Sequence, residues 1–274
     1  MKTTLVFFPF DLFGSPGTAE GVHLLADALR EMVADNRAEK VPTRARTYNN
    51  RLRLKGCTFE TMADYAGWRG RGRELVHEAF RSKDFLLWVA GNHLGVLPVY
   101  DELSGGEPST LVIQLDAHLD IHHFHDCTKE LSHGNFLLHC DGPLPPIINV
   151  GHRDLLLPAD YTARYYRRTF SSVQAAVAFD AVLDSLRTEA AAAGRVFLDL
   201  DCDVFDPAHF PAVSQAVPFG LTPQQVLRVV HAVWSPKVAG VCLSEFEPGR
   251  DLKDQCLATL LWLIEYILLR RHEK

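Results

Sequence analysis

Short apolar runs, many of them β-branched, recur along the chain at residues 4–8, 85–90, 111–115, 147–150, 195–200 and 238–243. Each is four to six residues long and nearly continuous rather than alternating. Such runs predict strands covered on both faces. Stretches with helical character lie between them, at 19–35, 74–82, 172–193, 223–233 and 254–271. The Ala-rich stretch 172–193 runs up to Gly194, a predicted C-cap, and Thr222-Pro223 offers a cap followed by a first-turn proline. Strand–helix alternation over the whole length predicts one α/β domain, residues 1–274, in three layers: a mainly parallel sheet with helices on both faces. No internal repeat, low-complexity segment or dividing linker interrupts it. The stretch 41–72 fits neither pattern and carries Arg44, Arg46, Arg51, Arg53, Arg69 and Arg71, with Arg73 just beyond. It reads as an irregular solvated face, or as a docking surface for an acidic partner or peptide.

Composition narrows the class. With 274 residues, 47% hydrophobic and 23% charged, the chain is of an ordinary globular kind that can bury a sizeable core. A net charge of −6 argues against a nucleic acid or a membrane surface as partner. The longest apolar stretch, 257–269, is broken by Glu265 and is too short to span a bilayer, so it predicts a buried terminal helix. The first residues carry one lysine and a short apolar run that soon meets Pro9 and Asp11, unlike a secretion signal. A cytoplasmic location is therefore expected. The six cysteines, Cys57, Cys127, Cys140, Cys202, Cys242 and Cys256, form no CxxC pair and are expected as reduced thiols.

Potential ligands collect where the predicted strands end. Six of the 13 histidines fall between His118 and His139. Asp116-Ala-His118-Leu-Asp120 follows the run 111–115, and Asp201-Cys-Asp203-Val-Phe-Asp206 follows 195–200. Gly91-Asn92-His93 follows 85–90, and Glu245-Phe-Glu247 follows 238–243. Side chains two apart point the same way in extended backbone, and open parallel sheets form their sites outside the carboxyl ends of strands. Each motif alone is weak, but four of them after four strands predict one shared cleft. Four aspartates and two histidines make a hard, oxygen-rich set that suits manganese better than a structural zinc. Four carboxylates also roughly balance two divalent ions, whose joint role is to activate water.

These motifs resemble the ureohydrolase family of arginase, agmatinase and formiminoglutamase, whose ordered signatures are GGDH, DAHxD, SxDxDxxDP and ExNP. Here they read AGNH (90–93), DAHLD (116–120), DLDCDVFDP (199–207) and EFEP (245–248), with a GLT at 220–222 before a helix. The resemblance implies an arginase-like α/β fold and a two-manganese centre that hydrolyses a guanidino group and releases urea. By position, one ion would take His93, Asp116, Asp120 and Asp201, and the other His118, Asp116, Asp201 and Asp203, with Asp116 and Asp201 shared. His133 matches the family's proton-shuttling histidine. Glu245 would hold the guanidinium by a charge-assisted pair. Asp206 would support its loop. Relatives usually assemble, so a homo-oligomer is an expected possibility.

The departures bear on tuning and substrate. Asn92 stands where the family has an aspartate, which removes a carboxylate behind the metal ligands and could change the tuning of His93. Asp199 replaces a serine and Glu247 an asparagine. Enzymes acting on free arginine hold its α-carboxylate with an Asn and a Ser, where this chain has His122 and Lys129. Their α-amino clamp, an Asp, falls on the apolar end of the segment Gly151-His-Arg-Asp-Leu-Leu156. Without these groups, a free amino-acid head would be left unpaired. The expected substrate is then an arginine side chain within a precursor peptide, converted to ornithine, an expectation to which the Arg-rich 41–73 region and His122, His123 and His125 also contribute. The alternatives are agmatine or another small guanidine, a related metal-dependent amidohydrolase or deacetylase, and a non-catalytic metal-binding relative.

Overall fold

Every apolar run named above becomes a strand of one sheet in the computed structural model, which describes residues 1–104, 109–122 and 130–273. The strands are β1 (Thr3–Phe8), β2 (Leu52–Gly56), β3 (Phe85–Ala90), β4 (Thr110–Leu115), β5 (Ile147–His152), β6 (Arg168–Ser171), β7 (Arg195–Asp201) and β8 (Val238–Ser244). Their order is β2-β1-β3-β8-β7-β4-β5-β6, and every pairing is parallel. The helices are α1 (Thr18–Ala38), α2 (Met62–Ala66), α3 (Trp68–Arg81), α4 (Leu97–Leu103), α5 (Ala159–Thr162), α6 (Ser172–Ala192), α7 (Pro223–Val233) and α8 (Gln255–His272). Two apolar clusters flank the sheet, one against α1, α6, α7 and α8 and the other against α3 and α4. Strands buried on both faces explain the continuous apolar runs.

β2 and β6 lie outside those runs because they are the two edges. The segment Leu-Arg-Leu-Lys-Gly of β2 alternates charge with apolar residues on a partly exposed strand, which also discourages edge pairing with another chain. The stretch 41–72 is accordingly folded, holding β2, α2 and the start of α3.

Helix ends follow local chemistry. Ser171 and Gln174 form a capping box on α6, and Thr222 and Gln225 one on α7, where Pro223 occupies the first turn. Gly194 does not cap α6. The chain leaves that helix at Ala193 in extended conformation, and Lys237 Nζ donates to the carbonyls of Ala191 and Ala193 at 2.7 and 2.8 Å. A lysine thus meets the orphan carbonyls that a left-handed glycine would otherwise satisfy. The terminal helix α8 buries Leu260, Leu263, Ile264, Ile267 and Leu268. Among the described residues, no helix is long and apolar enough to cross a membrane. The five described cysteines are free thiols, and Cys127 lies outside the described residues.

Strand order is what assembles the cleft. The chain builds outward on either side, then returns to insert β8 and β7 between β3 and β4. The four motifs therefore sit at the carboxyl ends of four adjacent strands, the location that favours a site in an open parallel sheet.

Candidate metal centre

His93 follows β3 at the start of a single 3₁₀ turn capped by Asn92. Its ring is buried, and Nδ1 faces three carboxylates: Asp120 Oδ2 at 2.7 Å, Asp201 Oδ2 at 3.2 Å and Asp116 Oδ2 at 3.4 Å. None of Nδ1, Asp116 Oδ2 and Asp120 Oδ2 has a well-formed hydrogen bond, although all three are buried. Buried polar atoms left this way are costly, and atoms converging on one point suit a cation. Among the described residues, two groups have ligand atoms within 4.8 Å of one another: His93, Asp116 and Asp120, and Asp116, His118 and Asp203. Asp116 is common to both. Asp201 stands beside the first group, with its Oδ1 accepting the Asp203 N–H at 2.9 Å.

The electrostatics agree with that geometry. Burial and the neighbouring Asp120 and Asp203 push Asp116 up to about 7, and burial with Asp203 raises Asp201 well above the carboxylate range. Burial works against a charge on His118, yet Asp203, 2.8 Å from Nδ1, raises its pKa to about 10. So many carboxylates in one buried space repel one another, and bound divalent cations would relieve that repulsion.

The backbone is bent to make this arrangement. Asp120 and Glu245 both have positive φ, 47° and 64°, a conformation costing roughly 1–3 kcal/mol when a non-glycine residue holds it. Gly151, at φ 111°, lets β5 end against the Asp203 loop, where a Cβ would fall 2.6 Å from Val204 Cγ2. Arg153 then reaches across and donates to the carbonyls of Asp203 at 2.6 Å, Val204 at 2.9 Å and Val217 at 2.9 Å. Asp206 accepts from the backbone of Ala208 and Gly220, so it braces its loop.

His133 and Glu245 meet at the same cavity of about 780 Å³. His133 Nδ1 is 3.1 Å from Glu245 Oε1, and the same oxygen accepts the His93 backbone N–H at 2.8 Å. The residues expected to clamp substrate and to carry a proton are thus directly joined. Burial opposes a charge on His133, but Glu245 raises its pKa above the usual histidine value. The mouth is apolar: Phe13, Leu155 and Leu156 line it while 62%, 82% and 90% exposed. Among the described lining residues the one arginine or lysine is Arg153, which donates to backbone carbonyls. His122 lines the cavity with Nε2 3.3 Å from Asp154 Oδ2, whereas His123, His125 and Lys129 lie outside the described residues.

Two sequence expectations need correction. The arginines of 41–73 are not gathered at the site, since none of that stretch lines the cavity. Five of them pair within the chain: Arg44 with Glu273, Arg53 with Asp84, Arg69 with Asp101, Arg71 with Asp64, and Arg73 with Glu102 and Asp141. They brace the fold and give a peptide no docking surface at the cleft. Nor is a carboxylate missing behind His93. Asp199 Oδ2 lies 3.0 Å from His93 Nε2 and also accepts the Tyr100 hydroxyl at 2.6 Å. The period-two spacing of Asp199 and Asp201 could have placed both on one face of β7; nothing in the sequence pointed to Tyr100.

A model of the Arginase family matches residues 1–269. Agmatinase of Bacillus cereus is 27% identical over 188 residues, covering 66% of this chain and 62% of that protein. Mitochondrial arginase 1 of Arabidopsis thaliana is 29% identical over 178 residues, covering 61% and 49%. The matched region thus spans about half to two thirds of these relatives. Among solved structures, the arginase of Bacillus subtilis superposes with a TM-score of 0.79 at 19% identity, over 97% of this chain and 98% of that one.

Proposed function

The chain belongs to the arginase family, and on that premise we propose that it is a metal-dependent hydrolase that splits a guanidino group to release urea, acting on an arginine side chain within a peptide. The observation that carries this is the pair of ligand groups sharing Asp116 on the floor of the cavity where His133 and Glu245 meet. His93, Asp116, Asp120 and Asp201 would hold one cation, and His118, Asp116, Asp201 and Asp203 the other. Their hard donor set favours manganese. When bound, such ions lower the pKa of water and polarise the substrate.

The chain's own groups do the rest. Glu245 presents a buried carboxylate to the guanidinium and orients it. Its Oε1 also accepts the His133 Nδ1 proton, which leaves Nε2, on the Gln215 side of the ring, to exchange a proton with reacting groups. The cavity floor is closed by the buried aspartates, and Arg153 keeps the Asp203 loop in place.

The peptide reading is supported by the wall rather than the floor. With Arg153 engaged on backbone carbonyls, the described lining offers no free guanidinium or ammonium for a free α-carboxylate. The exposed Phe13, Leu155 and Leu156 offer apolar contact to a chain longer than one amino acid. The test is urea release by manganese-loaded protein from a blocked arginine peptide, agmatine and free arginine in parallel. Release from the peptide alone is expected. Turnover of agmatine or free arginine in preference to it overturns the peptide assignment, and no urea from any of them, with metal content verified, overturns the hydrolase.

A further inference from the structure

Asn92 makes its side-chain hydrogen bonds with backbone groups rather than with the His93 ring. Its Oδ1 accepts the Gly95 N–H at 3.3 Å, and its Nδ2 donates to the Leu12 carbonyl at 3.0 Å. The outer nitrogen of His93 is met instead by a side chain from another strand. Asp199 lies in β7, two residues before Asp201, so strand alternation puts both carboxylates on one face. Asp199 Oδ2 is 3.0 Å from His93 Nε2 and takes the Tyr100 hydroxyl at 2.6 Å. Asp199 is 0% exposed, and its Oδ1 has no hydrogen-bond partner among the described residues. The Phe136 ring packs on the His93 ring at 64°, with centroids 4.8 Å apart. The plane of the ring is therefore fixed from its face by Phe136 and from its edge by Asp199.

We propose that Asp199 is the positioning carboxylate of the His93 metal site: it accepts the Nε2–H and so turns the Nδ1 lone pair toward Asp116, Asp120 and Asp201. The carboxylate behind His93 thus comes from β7 and not from position 92, whose side chain faces the Leu12 carbonyl. An isolated carboxylate this deeply buried destabilises a fold unless something compensates it. Tyr100 and His93 compensate part, and a cation held by His93 Nδ1 with Asp116, Asp120 and Asp201 would compensate more. A ligand's outer hydrogen-bond partner of this kind affects affinity by about 10- to 100-fold. This inference rests on the metal-centre reading above.

The test compares wild type, D199N and D199N/N92D by manganese titration of the chelator-stripped protein, with thermal unfolding of the same stripped protein alongside. D199N keeps the shape and removes the charge. It is expected to weaken one of two manganese ions by about 10- to 100-fold while leaving the other close to wild type. Stripped D199N should unfold no earlier than stripped wild type, because a buried charge has been removed. N92D should not restore affinity, since side chain 92 faces the Leu12 carbonyl rather than the imidazole. Two ions bound by D199N at wild-type affinity, or a loss of stripped-protein stability with affinity unchanged, overturns the role of Asp199 alone. Wild type that binds no divalent cation overturns the centre and this inference with it.

Discussion

One oxygen of Glu245 joins the two halves of the cleft: Oε1 lies 3.1 Å from His133 Nδ1 and 2.8 Å from the His93 backbone nitrogen. The groups proposed as substrate clamp and proton carrier are therefore one hydrogen-bonded unit. E245Q retains an acceptor for the His93 N–H but loses the charge that faces His133. We expect kcat/KM to fall by about 10²–10⁴ in E245Q and in H133A. The double variant should lose little more than either single one, because groups acting together are not additive. Multiplied losses in steady-state urea release would show instead that the two act independently.

Arg153 is the tie between β5 and the Asp203 loop, with the carbonyls of Asp203, Val204 and Val217 all within 2.9 Å of its guanidinium. A lysine cannot reproduce that fork. R153K should destabilise the protein by about 3 kcal/mol, the scale of losing charged hydrogen bonds to buried acceptors. Urea unfolding reads this directly, and a change below about 1 kcal/mol would mean the carbonyls find other partners.

The proposed metal centre would link cations to the fold through Asp116, whose carboxyl is buried and pushed up to about 7 by burial, Asp120 and Asp203. A ligand that binds the folded state alone raises stability with the logarithm of one plus its concentration over its dissociation constant. Adding manganese to stripped wild type should raise the unfolding midpoint by several degrees, and the same addition to D116A should do far less. Equal shifts in the two proteins would place the stabilising ion elsewhere.

His272 gives a pH signature away from the cleft. Its Nε2 is 2.8 Å from Thr3 Oγ1, and burial with Arg51 and Arg271 lowers its pKa from the usual 6.5 to about 4. The unfolded chain then binds the proton first, so stability is full above about 6.5 and is lost as pH falls toward 4. H272Q, which cannot take that proton, should show a shallower loss over this window. Parallel unfolding free energies for wild type and H272Q at pH 7.5, 6 and 5 would refute the assignment.

The strands that carry the cleft were legible because each is buried on both faces, and burial leaves a continuous apolar run at 85–90, 111–115, 195–200 and 238–243. The edge strands Leu52–Gly56 and Arg168–Ser171 were not, since a half-exposed strand carries arginine and lysine like any loop. For the same reason the arginines of 41–73 looked like an open face, although most pair with carboxylates up to 229 positions away.

The sequence by itself determined the α/β alternation, which residue types end the four strands, and how far apart they stand within each motif. Those are local properties, set by periodicity and spacing over a few residues. The tertiary structure decided which motifs touch: that β8 and β7 return between β3 and β4, that Glu245 joins His133, and that the carboxylate behind His93 comes from Asp199 rather than from its own neighbour. Those contacts join residues 106 to 152 positions apart, and distances across strands depend on the order in which the chain lays them down, which no local pattern records.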